Sequence, residues 1–453
     1  MKNSLNFQLL VIGDGPAGME AAIQGARRHL KVGLISGSQI GGRAIWSSLV
    51  PSKVWVHMAE KVLRVNFEAN KFPPPTIDDI KNKIVQTSQE ISIHYQSFLQ
   101  RLGVEIIKGN AQYEGSNRVS VAAEGENEQQ ITADFIIIAT GSEPAFFEGV
   151  KPNGDRIIAP RFTKQLQENP ASLIMIGGGV TGCEYASSLA ALGTEVTLVT
   201  DLPVLLPQMD SEIQQTLEES FLKRGIKLIK SSPVQKVLQE DSSVKVFLSD
   251  QQVLEADYAF LALGRKPDVK FLAENKNAIR LDNDGSIWTN GYQQTSEPHI
   301  YAVGDAAGGI MSANKALYQS RIAIAHIHGE NIPAYKEDDV VIAVYTYPEI
   351  AGVGLTEQEA KSRNKHYKVI RKNYKNLIKY HLDFYVDGFM KLIVDAGSNK
   401  LLGAHTIGPL ASELIAPVLV GKGAGLKYEE LGSLPFAYPS FSEIALVGSH
   451  SSE

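Results

Sequence analysis

Residues 9–18 read LLVIGDGPAG, and residues 172–182 read SLIMIGGGVTG. Each is an apolar run entering a GxGxxG turn, and the residues that follow predict helices over 19–28 and 183–192. Gly13 permits the tight turn, Gly15 lets the backbone approach a pyrophosphate, and Gly18 lets helix and strand pack closely. Pro16 and Ala17 lie in the loop ahead of the first helix, whose N-terminal N–H groups and dipole favour phosphate. Gly177, Gly179 and Gly182 repeat the pattern, with Val180 and Thr181 in the loop ahead of the second helix. Gly193 can end that helix, and the strand 195–200 completes a βαβ unit. A single such loop is weak evidence. Two copies, each between strand and helix, predict two dinucleotide sites, one for a flavin and one for an exchangeable nicotinamide.

An acid is expected about twenty residues past each loop, where it takes the ribose hydroxyls. In the first unit the strand 31–35 ends at Ser36, a weaker partner than a carboxylate. In the second, Asp201 stands at the strand tip; it can accept both hydroxyls and repels a 2′-phosphate. No Arg or Lys lies close by in sequence to hold that phosphate. NADH is therefore favoured, and NADPH is not excluded. Three further strand ends fit the same plan: FIIIATGS at 135–142, FLALGRKP at 260–267 and IYAVGDAA at 300–307. They contribute Ala139, Thr140 and Gly141, then Gly264 and Arg265, then Gly304 and Asp305. Asp305 is placed to accept a hydrogen bond from a sugar-like chain.

A chain of 453 residues with 43% hydrophobic and 21% charged residues predicts a globular protein of two to four domains. The net charge of −6 gives no reason to expect nucleic acid. Only the two βαβ units read as an internal repeat. The apolar run 7–12 reads as a first strand, not a signal peptide, and no run is long enough to span a membrane. The histidines are scattered and Cys183 is the single cysteine, so no metal site is expected. One cysteine fits a reducing compartment, and a cytoplasmic location is expected. Residues 77–102 predict a packed surface helix, with Ile80, Ile84, Ile91 and Phe98 at helical spacing. Cys183 opens the second nucleotide helix, and a small packing residue is the favoured reading over a reactive thiol.

These motifs, with GG and PSK in GGRAIWSSLVPSK (41–53), YTYPEIAGVGLTE (345–357), GFMKLIVD (388–395), LLGAHTIGPLASELI (401–415) and AYPSFSE (437–443), resemble the flavoprotein disulfide reductases over nearly the whole chain. Within that group the chain is most similar to the dihydrolipoamide dehydrogenases. The resemblance implies an α/β protein with two Rossmann-like dinucleotide-binding domains and a C-terminal α+β dimerisation domain. The FAD domain would comprise 1–145 and 275–335, the NAD domain 146–274, and the dimerisation domain 336–453. It implies a homodimer and adds Gly42, Arg43, Ala111 and Ala313 to the cofactor-binding set. It also places Lys53 near flavin N5, paired with Glu184, to stabilise the reduced cofactor and position the nicotinamide.

The departures are as informative as the matches. The family carries cysteines at the second and seventh positions after the glycine pair, and here these are Ala44 and Leu49. The family's catalytic histidine is Tyr438 here, with its orienting carboxylate kept as Glu443, and Tyr347 alters an earlier motif. A phenol is a poor proton shuttle for thiols at neutral pH, although it can donate a hydrogen bond to a carbonyl. The dithiol half-reaction has lost both disulfide and base, while the nicotinamide half is kept. The expected function is an FAD-dependent NAD(P)H oxidoreductase passing hydride to a small non-disulfide acceptor, quinone-like or nicotinamide. Pyridine nucleotide transhydrogenation and a non-catalytic FAD-binding partner protein are the alternatives.

Overall fold

The computed structural model describes residues 5–67, 74–123, 125, 127–275, 279–383 and 387–445. Its contacts divide the chain into two units. The first comprises Met1–Pro51, Lys81–Ala145 and Gly264–Glu337, and the second Ser52–Ile80, Phe146–Leu263 and Asp338–Glu453. The chain returns to the first unit at Gly264, ahead of the expected residue 275. Most of the expected nicotinamide segment shares the second unit with the C-terminal segment. Residues 446–453 of the expected dimerisation segment lie outside the described residues.

The first unit is built on a seven-stranded sheet. At its centre, β1 (Leu5–Ile12) pairs in parallel with β2 (Val32–Ser36) on one side and with strand Gln129–Ile138 on the other. Leu9, Leu10 and Val11 are fully buried, as a strand covered on both faces requires. Between β1 and β2 runs helix α1 (Pro16–Arg27), close to the expected 19–28. A second helix, Ala313–Ile327, packs on α1, and the Ser320 hydroxyl donates to the Ala17 carbonyl at 2.9 Å. Gly304 sits between them with φ +70°, and a Cβ there would meet Ala17 Cβ at 3.2 Å and Ala316 Cβ at 3.3 Å.

The second unit repeats the arrangement. A five-stranded parallel sheet carries β3 (Ser172–Ile176) at its centre and β4 (Glu195–Val199) beside it, joined by helix α2 (Val180–Ala191). A three-stranded antiparallel sheet, Val234–Gln239, Val244–Leu248 and Val253–Ala256, packs against that core. The C-terminal segment forms a separate five-stranded antiparallel sheet, in the order Ile342–Val344, Glu349–Gly354, Leu401–Gly408, Phe389–Asp395, Tyr367–Asn373.

Lys391, on the strand Phe389–Asp395, is fully buried among carboxylates. Its Nζ donates to Asp210 at 3.1 Å, Glu212 at 2.7 Å and Glu357 at 2.5 Å. Burial opposes its charge, but these bonds outweigh that and hold its pKa above the ordinary lysine value. Asp210, also fully buried, N-caps helix Ser211–Lys223 through the Glu212 N–H. Lys391→Met would strand the Asp210 charge in the interior. It should lower the unfolding free energy of this unit by about 3–5 kcal/mol, read as a shift in urea midpoint.

Candidate nucleotide and redox sites

In the first unit, the glycine turn is set by backbone contacts no side chain could share. Gly13 has φ +105°, and a Cβ there would lie 2.4 Å from the Ala139 carbonyl oxygen. A Cβ on Gly18 would lie 1.8 Å from the Gly13 oxygen. At Gly15 an added Cβ meets nothing within 4 Å, so the backbone there faces open space. Pro16 begins α1, no side chain caps it, and the N–H groups of Ala17 and Gly18 have no intrahelical acceptor. This is an anion cradle of the kind a dinucleotide pyrophosphate fills.

Around it, the expected flavin-side residues form one hydrogen-bonded junction. Thr140 Oγ1 donates to the Asp268 carbonyl at 2.6 Å, and Asp268 N–H returns a bond to the Gly141 carbonyl at 2.9 Å. Ser142 Oγ donates to Asp305 Oδ2 at 2.5 Å and accepts from Arg265 Nε at 2.6 Å. The Ser142 carbonyl takes a second Arg265 bond at 2.7 Å and one from Arg43 at 2.5 Å. Arg43 also pairs with Asp268 at 2.6 Å. Burial lowers the Arg265 pKa from the ordinary guanidinium value. Both arginines expected to bind cofactor are thus engaged by the protein and brace this junction. Gly264 precedes the short strand Arg265–Pro267, Ala111 lies half-buried on Asn110–Gly115, and Ala313 begins its helix.

The stretch that holds cysteines in the resembled family is braced here by side-chain-to-backbone hydrogen bonds. Gly41 and Gly42 adopt φ +115° and +54°, and a short helix, Gly42–Trp46, follows. Trp46 Nε1 donates to the Ile40 carbonyl at 3.1 Å, Ser92 Oγ to the same carbonyl at 2.7 Å, and Ser88 Oγ to the Ile45 carbonyl at 2.8 Å. Ser88 and Ser92, four residues apart on helix Ile77–Arg101, share one face. Sequence reading missed this pair, whose only signal was the i, i+4 spacing. It also missed Asp14, which is nearly buried and accepts the Ser36 hydroxyl at 2.8 Å. Burial raises the Asp14 pKa from the ordinary carboxylate value, partly offset by that bond and by backbone N–H groups of the loop.

In the second unit, Gly177 has φ +115°, with an added Cβ 2.3 Å from the Ala262 oxygen. A Cβ on Gly182 would meet the Gly177 oxygen at 1.8 Å, while one on Gly179 meets nothing. Val180 and Thr181 open α2 without a side-chain cap. The register pairs Ile12 with Ile35 and Ile176 with Val199, so Thr200 is the counterpart of Ser36. Asp201 lies one residue further on and is exposed.

Lys53 and Glu184 come together as expected. Glu184 is 3% exposed, and its Oε2 accepts Lys53 Nζ at 2.6 Å. Its Oε1 accepts the Tyr345 N–H at 3.0 Å, and Lys53 Nζ stands 4.5 Å from the centre of the Tyr345 ring. Burial raises the Tyr345 phenol pKa. Three residues on from Glu184, Ser187 Oγ accepts the Tyr347 N–H at 3.1 Å and an Arg224 N–H at 2.8 Å. Arg224 also donates to the Tyr347 carbonyl at 2.8 Å, and burial lowers its pKa to about 10. The carboxylate therefore sits on a helix bolted to residues 345–347. Tyr345 was not among the expected site residues, because only tertiary contact brings it to α2.

Tyr438 and Glu443 do not form the pair the resemblance implied. Tyr438 is 70% exposed, and Glu443 Oε1 accepts the Ser440 N–H at 2.8 Å. No hydrogen bond joins the two among the described residues. Cys183 is fully buried, with Sγ 3.4 Å from the Gly178 carbonyl, and burial pushes its pKa well above the ordinary thiol value. It should resist iodoacetamide in the native protein and react once urea unfolds the chain, as mass spectrometry would register. Among the described residues no group of three or more His, Cys, Asp or Glu could hold a metal, and no helix is long and apolar enough to cross a membrane.

Comparison with known proteins agrees with this architecture. Residues 7–320 match the family model "Pyridine nucleotide-disulphide oxidoreductase", and residues 340–446 match its dimerisation domain. A dihydrolipoyl dehydrogenase from Chlorobaculum tepidum is 32% identical, covering 96% of this chain and 95% of that protein. An NAD(P)H dehydrogenase (quinone) from Mycobacterium tuberculosis is 29% identical, covering 96% of this chain and 92% of its own. Among solved structures, LpdA from Mycobacterium tuberculosis superposes with a TM-score of 0.93 at 27% identity, covering 98% of both chains. The HOCl-induced flavoprotein disulfide reductase RclA from Escherichia coli gives 0.85 at 25% identity, covering 97% of this chain and 98% of its own.

Proposed function

The chain belongs to the pyridine nucleotide-disulphide oxidoreductase family, and from that membership we propose that it is an FAD-dependent NAD(P)H oxidoreductase acting on a non-disulfide acceptor. The family binds FAD and NAD(P). The residues present suit both: two glycine turns open at Gly15 and Gly179, each leading into an uncapped helix N-terminus. When bound, FAD supplies the isoalloxazine that takes hydride from the nicotinamide and yields electrons to an acceptor.

The protein's own groups divide the work. Gly13, Gly15 and Gly18 seat one pyrophosphate, Gly177, Gly179 and Gly182 the other, and Asp201 takes the nicotinamide-side ribose. Lys53, held by Glu184, supplies a fixed positive charge that favours the electron-rich cofactor. Glu184 in turn is fixed by the Tyr345 N–H. The chain offers no thiol relay, because its one cysteine is buried and Ala44 and Leu49 stand where the family has sulfur. That substitution, together with an intact Lys53–Glu184 pair, is the observation that carries the reading. Ala44, Trp46 and Leu49 suit a planar organic acceptor better than a polar dithiol, and a quinone is the class proposed. The relative named as a quinone dehydrogenase supports that choice. Expected is a yellow protein bleached by NADH without oxygen and recoloured by a quinone, followed by stopped-flow absorbance. Flavin that stays oxidised with NADH would refute the hydride step; recolouring by thio-NAD but not by quinones would replace the reading with transhydrogenation.

A further inference from the structure

We propose that the carboxylate receiving the ribose diol of the adenosine half of FAD is Asp14, moved from the strand tip to the glycine loop and aimed by Ser36. The inference rests on FAD being the ligand of this loop. It concerns a contact that the tip of β2 no longer supplies, since that position is Ser36.

The two glycine turns locate the residue. Asp14 and Gly178 are counterparts, each following the first glycine of its loop, as Ser36 and Thr200 are counterparts at the strand tips. At Gly178 an added Cβ would point at Thr200, 3.1 Å from its Cβ. A side chain at this loop position therefore leans over the tip of the second strand. In the nicotinamide turn the same Cβ would lie 2.8 Å from Leu205 Cδ2, so that leucine would have to shift to admit one. In the flavin turn the position holds an aspartate, and its carboxylate reaches Ser36 at 2.8 Å.

The chemistry matches the vacated role. Asp14 is 6% exposed and Ser36 is 1% exposed, so this acid is not a solvated surface charge. Asp14 Oδ1 lies 3.4 Å from where a Cβ on Gly42 would stand, which puts the carboxylate between the glycine turn and residues 41–42. Ser36 uses its proton on Oδ2, and a carboxylate keeps lone pairs on both oxygens for further donors. Two vicinal hydroxyls are neutral donors of the right kind, and they would favour the ionised form that burial opposes. Backbone N–H groups at residues 14, 41 and 42 also favour the ionised form, and the lone pairs they leave are open to the hydroxyls of a ligand.

Titration of the full-length, flavin-free protein with FAD, followed by flavin fluorescence, tests this. A parallel titration uses the FAD analogue whose adenosine ribose lacks the 2′ and 3′ hydroxyls. Asp14→Ala should weaken FAD binding about tenfold to a hundredfold and leave the analogue's affinity unchanged. Ser36→Ala should act in the same direction, more weakly. The double variant Asp14→Ala/Ser36→Glu, which returns the acid to the strand tip, should recover FAD binding. Equal losses for FAD and the analogue would make Asp14 a loop-shaping residue and overturn the inference, as would unchanged FAD affinity in Asp14→Ala. A wild-type protein that takes up no FAD would instead sink the functional reading beneath it.

Discussion

Glu184→Gln slows the bleaching of bound flavin by NADH about a hundredfold, and Lys53→Met does the same, with the flavin content of both proteins unchanged. The expectation comes from how the pair is built. Glu184 is almost wholly buried, and both of its oxygens are used, one by Lys53 Nζ at 2.6 Å and the other by the Tyr345 N–H. An ammonium held that tightly costs no reorganisation when negative charge builds up on the cofactor. The glutamine keeps an acceptor for Tyr345 but removes the charge that holds the lysine. The methionine keeps the apolar stem and removes the cation. Because the two residues act as a unit, the double variant should be scarcely slower than either single one. Rapid mixing under anaerobic conditions measures all three rates. Single variants as fast as the parent would strip the pair of any part in the hydride step.

Gly15→Ala should leave a folded protein that has lost its colour, and Gly179→Ala a yellow protein that NADH no longer bleaches at ordinary concentrations. Both glycines have extended backbone that alanine adopts without strain, and at both the added methyl meets no protein atom. The methyl would instead enter the space through which a pyrophosphate must approach, and we expect each affinity to fall about a hundredfold or more. Gly18→Ala is the contrasting case. Its Cβ would fall 1.8 Å from the Gly13 carbonyl oxygen, a backbone atom that cannot swing away. That variant should lose folding stability and not merely cofactor. Circular dichroism melts and the ratio of flavin to protein absorbance separate the outcomes. A coloured, NADH-responsive Gly15→Ala would remove the flavin from this loop.

The glycine turns could be read in the sequence because their demands are short-range. Gly18 must accommodate Gly13 in the turn just ahead of its helix, and the apolar runs of β1 and β3 announce strands covered on both faces. Lys53 and Glu184 lie 131 positions apart, and no periodicity joins them; family resemblance alone paired them. Tyr345, 161 positions from Glu184, carried no such signal, since its contribution is a backbone N–H that every residue but proline has. Arg43 and Arg265 have the side chains of phosphate ligands, yet the fold gives them Ser142 and Asp268 as partners.

From the linear chain come the two dinucleotide turns, the family and the absence of a second thiol, because these follow from residue identity and from contacts within one supersecondary unit. Tertiary packing alone determined that Glu184 is clamped from two sides, that Glu443 turns to Ser440 and not to Tyr438, and that Asp14 closes on Ser36. Hydrogen-bond partners are chosen by proximity in space, and a carboxylate takes whichever donor the folded backbone brings within about 3 Å.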